Sequence, residues 1–125
     1  MNQYEAIAKL MIATMVADGV SHDNEQMFII GIIEILKIDE EKYESLRKEA
    51  EEFENLEELI EWCRSSIQEI SEKNKYTSGW NAMSVLFMAL VAMADNKIDK
   101  NEKSLIMAVA SELNVNIESL ERISA

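Results

Sequence analysis

Met11, Ala17, Asp18, Asn24, Glu25, Leu36, Glu41 and Glu44 are each found again, unchanged, 77 positions further along the chain, as Met88, Ala94, Asp95, Asn101, Glu102, Leu113, Glu118 and Glu121. No gap is needed to keep the register. Similar residues fill the intervals: Phe28 with Leu105, Ile32 with Val109, Ile38 with Val115, Asp39 with Asn116, Tyr43 with Leu120 and Leu46 with Ile123. Such a pattern predicts two copies of one three-helix unit, spanning about 10–46 and 87–123. A unit whose helices are apolar on one side cannot bury that side alone, so the copies are expected to pack face to face. The expected architecture is all-α, with about seven helices and two pseudo-symmetric helix–acidic turn–helix repeats in one bundle-like domain covering residues 1–125.

Helical spacing recurs along the chain. Tyr4, Ile7, Ala8, Met11, Ile12 and Met15 make one stripe of a first helix ending near Val16. A second helix, from about His22 to Lys37, is apolar around more than half its circumference and is expected to be the central, most buried one. Asp39 can cap a third, with Ile38 and Tyr43 in the positions of a hydrophobic staple, and Asn55 with Glu58 has capping-box spacing for a fourth. Leu56, Leu59, Ile60, Cys63, Ile67 and Ile70 line that fourth helix, and the polar run Ser71 to Gly79 is read as a loop. Trp80, Met83, Phe87, Leu90, Val91 and Ala94 mark a fifth, Leu105, Ile106, Val109, Ala110 and Leu113 a sixth, and Ile117, Leu120 and Ile123 a short seventh.

Composition agrees with helices joined by polar turns. There is no proline and there are only three glycines in 125 residues, which leaves no phosphate-cradling glycine loop and no flexible linker. A chain this long buries roughly two-thirds of its unfolded surface, enough for one core. The longest apolar run, Met83 to Ala94, is too short to span a bilayer, and the N-terminus has no basic signal-peptide region, so a cytoplasmic protein is expected. Cys63, the lone cysteine, sits on an apolar stripe and reads as a buried structural thiol rather than a nucleophile. His22 has no serine or cysteine partner, and no acid–base pair stands out, so no enzyme activity is expected. Most methionines fall on helix stripes, which points to an adaptable core.

Charge is distributed unevenly. The net charge is −12, and Asp39 to Glu61 holds eleven acidic against three basic residues, a net of −8. That surface argues against direct nucleic-acid binding, which depends on lysine and arginine displacing counterions from phosphate. Glu44, Glu51, Glu54 and Glu58 are the candidate contacts for a protein partner with a basic surface; a homodimer is also open. The bland alternative is a solvated face that keeps the protein soluble.

The repeated turns offer a second candidate site. Each has Ala-Asp followed, seven positions beyond the aspartate, by a glutamate: Asp18 to Glu25 and Asp95 to Glu102. The glutamates fall in first helical turns, where a negative charge meets the positive end of the macrodipole, and Asp99 with Glu102 has capping-box spacing. Asp18 and Asp95 follow a helix C-terminus, where a carboxylate is disfavoured by about 0.3–1 kcal/mol. Either each accepts N–H bonds from its own turn or it shares a cation with nearby oxygens. Asp18, Asp23 and Glu25 in one copy, and Asp95, Asp99 and Glu102 in the other, are hard donors suited to Ca2+ or Mg2+.

The run Ala17-Asp18-Gly19-Val20-Ser21 through Glu25, repeated as Ala94-Asp95-Asn96-Lys97-Ile98-Asp99 through Glu102, resembles the TerB-like family associated with tellurite resistance. The resemblance covers about residues 4 to 123. It implies an all-helical fold with two related halves, a place in bacterial stress-resistance systems, acidic turn residues that bind metal or partners, and no established enzyme activity. Asn96 stands where the Ala-Asp-Gly pattern has glycine, so the two turns are not equivalent. A reading from charge alone also stays open: an acidic inhibitor, a nucleic-acid mimic that blocks a basic protein, as a phage or mobile element would carry.

Overall fold

The structure is a computed structural model that describes residues 2–17, 23–75, 79–94 and 98–116. These form six helices and, among the described residues, no strand: α1 (Gln3–Val16), α2 (Asp23–Ile35), α3 (Glu40–Glu51), α4 (Leu56–Asn74), α5 (Trp80–Met93) and α6 (Lys100–Glu112). The seventh expected helix, over Ile117, Leu120 and Ile123, lies outside the described residues. The bounds of α5 and α6 are those of α1 and α2 displaced by 77 at both ends.

Local signals set most helix ends. Asn2 caps α1 by accepting from the Glu5 N–H at 2.9 Å, Asp39 caps α3 by accepting from Glu41, and Asn55 caps α4 by accepting from Glu58 at 2.9 Å. The Glu58 carboxylate, expected to close a box on the Asn55 backbone, instead accepts from the Asn55 side-chain amide at 3.1 Å. Gly79 starts α5 with φ of 103°, a left-handed conformation that an L side chain would strain. The Asn74 carboxamide oxygen accepts from Gly79 and Asn81 N–H, which ties the start of α5 to the end of α4. The run Ser71 to Gly79, read as a loop, is helical as far as Asn74, because α4 extends through it; residues 76–78 lie outside the described residues.

α1, not α2, is the central helix. It packs against each of the other five, and nine of its fourteen residues are buried, including Ala6, Leu10, Ala13 and Thr14 beyond its expected stripe. The Thr14 hydroxyl is satisfied inside the core by donating to the Leu10 carbonyl at 2.9 Å. α2 buries only Glu25, Ile29 and Ile33, whereas Met27 is 70% and Ile35 74% exposed. Hydrophobicity around a helix states what it can bury, not what comes to cover it. α5 departs from its expected stripe too: Ser84, Val85, Met88, Ala89, Val91 and Ala92 are buried, while Leu90 is 38% exposed.

The core joins these helices continuously. Ile7, Leu10, Met11, Ile12 and Met15 from α1 meet Ile29 and Ile33 of α2, Cys63 and Ile70 of α4, Met88 of α5 and Leu105 and Ile106 of α6. Each fully buried side chain of this size contributes about 1.5–3 kcal/mol relative to exposure. The staple residue Tyr43 is buried, with Ile38 packed against the same core. Edge-to-face packing of Tyr4 on Trp80, with centroids 5.8 Å apart, joins the starts of α1 and α5. Among the described residues, no helix is long and apolar enough to cross a membrane.

Candidate functional site

The candidate cation donors divide between described and undescribed positions. Asp18 and Asp95 lie outside the described residues. Asp23 and Glu25 occupy the first turn of α2, and Glu102 that of α6, as the spacing predicts. Less predictable is their burial: Glu25 is fully buried and Glu102 is 2% exposed. An ionised carboxylate out of water is costly unless hydrogen-bonded. Glu102 meets that requirement through a complete capping box, its Oε1 accepting from the Asp99 N–H at 2.9 Å while Asp99 accepts from the α6 backbone, including Asn101 N–H at 2.8 Å. Asp99 and Glu102 thus already hold the start of α6. Among the described residues, no group of three or more histidine, cysteine, aspartate or glutamate side chains is placed to hold a metal ion. The cation reading turns on Asp18 and Asp95.

The four candidate partner contacts serve three different arrangements. Glu44 and Glu51 flank Arg47 on α3, with Oε2 of Glu44 2.9 Å from Arg47 Nη2 and Oε1 of Glu51 3.7 Å from its Nε. Exposed pairs of this kind contribute about 0.2–1 kcal/mol and reduce the net charge a partner would meet. Glu58 is engaged with Asn55 at the α4 cap. Glu54 alone of the four makes no hydrogen bond or ion pair among the described residues.

Glu54 also lines a cleft between the end of α1, the α3–α4 junction and the start of α6. Val16 and Ala17 at the end of α1, Ala50 and Phe53 to Leu56 around the α3–α4 junction, Leu59, and Asn101 at the start of α6 surround about 240 Å³. Ala17 directly precedes the first acidic turn, and Asn101 lies in the first turn of the helix that follows the second. Asn101 had a sequence signal, its identity with Asn24 across the repeat, but no periodicity places it opposite Ala17. Phe53 and Leu56 carried no site signal at all; they form walls here because α3 turns into α4 beside the end of α1.

Cys63 is fully buried, and burial pushes its thiol up to about 12 despite the lowering influence of the Lys9 ammonium. Reactive cysteines are held low instead. Arg64, its cationic sequence neighbour, is committed to Glu61 at 2.7 Å and to Glu112 of α6. Lys9, on α1, is the nearby cation that sequence spacing did not reveal. Its Nζ sits 4.5 Å from the Trp62 ring centroid and donates to Ser65 Oγ at 3.0 Å, and desolvation holds its pKa below the usual lysine value.

These features define a small helical domain with capping polar groups at its helix starts. Residues 5–125 match the family model described as tellurite resistance protein TerB. The chain belongs to that family. No curated protein and no solved structure matches it.

Proposed function

We propose that this chain is a non-enzymatic, tellurite-resistance-type component of a bacterial stress response, acting in the cytoplasm by binding. Its acidic turns take a divalent cation, its acidic face takes a protein partner with a basic surface, or both. The observation that carries this reading is the concentration of charge: a net of −8 between Asp39 and Glu61, within a chain whose residues 5–125 match the TerB family. Cationic partners are the ones such a face attracts and orients. In this reading the two copies of the helix–turn–helix unit are halves related by an approximate twofold. The 77-residue displacement of helix bounds supports that relation.

For the cation, Asp18 with Asp23 and Glu25, and Asp95 with Asp99 and Glu102, supply oxygen donors of the kind Ca2+ and Mg2+ prefer. The test is a calorimetric titration of chelator-treated protein with each ion, repeated on Asp18→Ala and Asp95→Ala. Saturable binding that weakens in either variant is expected and assigns the ion to a turn. Absence of heat, with no change in melting temperature at millimolar ion, removes the cation and leaves the basic protein partner.

A further inference from the structure

We propose that the cleft between the end of α1, the α3–α4 junction and the start of α6 is a receptor for one basic side chain, lysine or arginine, presented by a partner polypeptide. The proposal rests on the reading that the acidic face meets a basic protein, and gives that contact an anchor point. Size argues first. At about 240 Å³ the cleft is smaller than the roughly 300–1,000 Å³ usual for cofactors and drug-sized ligands, so it suits a single side chain.

The lining argues for the chemistry of that side chain. Buried Ala50 and Leu59 form an apolar floor, and half-buried Val16, Phe53 and Leu56 the walls. The Phe53 ring is held against Trp62, with centroids 5.8 Å apart, so this wall is braced before any ligand arrives. Apolar side chains beside a carboxylate match the aliphatic stem and cationic head of lysine or arginine. Glu54 supplies the charge at the mouth and has no hydrogen bond or ion pair among the described residues. Asn55 stands beside it, but its carboxamide is spent on Glu58, which leaves Asn101 as the second polar group at the rim. An anion would meet Glu54 and the surplus of carboxylates between Asp39 and Glu61. A neutral apolar side chain would leave Glu54 covered and unpaired.

The test is an NMR titration of uniformly 15N-labelled full chain with N-acetyl-lysine methylamide, N-acetyl-arginine methylamide and the uncharged N-acetyl-norleucine methylamide, and separately with an octalysine peptide. Expected are saturable shifts centred on residues 16–17, 50–59 and 101 with the cationic amides and not with norleucine. Glu54→Gln, at an exposed position that leaves the fold intact, should weaken both cationic amides about three- to tenfold. Glu41→Gln, in the same acidic stretch but outside the cleft, should leave them unchanged. Equal binding of norleucine, or equal losses in the two variants, would overturn the proposal. If octalysine binds wild type and Glu54→Gln alike, the cleft falls while the basic-partner reading stands. If neither octalysine nor the amides bind, both fall.

Discussion

Lys37 and Asn114, 77 residues apart, adopt the same left-handed backbone conformation, with φ of 58° and 57°, two residues past the ends of equivalent helices. Both helices close with the same pair of bonds. Ile38 N–H donates to the Ile33 carbonyl at 3.1 Å and Val115 N–H to Ala110 at 2.9 Å, while Lys37 donates to Glu34 at 3.2 Å and Asn114 to Ser111 at 3.3 Å. This is the Schellman closure, in which a left-handed residue lets two N–H groups reach back to the last carbonyls. The repeat therefore extends to backbone conformation, at a position where the two side chains differ in suitability.

Asparagine tolerates the left-handed region, whereas lysine is disfavoured there by about 1 kcal/mol relative to glycine. Lys37→Gly is expected to raise unfolding free energy by about 0.5–1 kcal/mol, and Asn114→Gly by only a few tenths. Urea denaturation of the two variants checks this. Equal effects would mean that the backbone strain at Lys37 is not what distinguishes the sites.

Asp99 is a structural residue before it is anything else, because its carboxylate and that of Glu102 cap α6 reciprocally. Asp99→Ala should cost about 0.5–2 kcal/mol, with Asp99→Ser recovering most of it, since serine also accepts from the first-turn N–H groups. Denaturation in chelator measures this capping contribution apart from any ion. A loss that appears only when Ca2+ or Mg2+ is present would reverse the order of importance.

Stability at high pH should depend on Cys63. An acid whose pKa is higher folded than unfolded stabilises the fold fully below its unfolded value, and that contribution fades as pH climbs to the folded value. For Cys63 the window runs from the ordinary 9.0 to about 12. Tyr43, raised by burial, acts in the same direction above 10.0, while Lys9, held low, opposes both. Wild type is expected to lose stability more steeply than Cys63→Ala across that window, by up to about 1.4 kcal/mol per pH unit. Parallel pH profiles of the denaturation midpoint would show that the thiol does not carry this dependence.

Much of the helical layout is legible before any fold is built, because caps and apolar spacing act within one or two turns. Asp39, Asn55 and Asp99 cap the helices their spacing predicts, and Leu105, Ile106, Val109, Ala110 and Leu113 are all buried as the α6 stripe requires. Offset 77 likewise carries through to helix bounds and to the paired closures at Lys37 and Asn114. These are local consequences of residue type, so an isolated sequence contains them.

Tertiary structure decided which surfaces meet. Nothing in periodicity distinguishes α1, which packs against all five other helices although its Tyr4 is exposed, from α2, whose Met27 and Ile35 remain exposed, because both helices carry enough apolar residues to be central. Nor does spacing reveal that Glu25 and Glu102 are buried, that Lys9 lies over Trp62, or that Glu54 shares a cleft with Asn101. The sequence by itself determined the helices and most of their ends, which depend on neighbours three to five residues away. The centre of the core and the cleft depend on contacts between residues tens of positions apart, and only packing of the whole chain selects them.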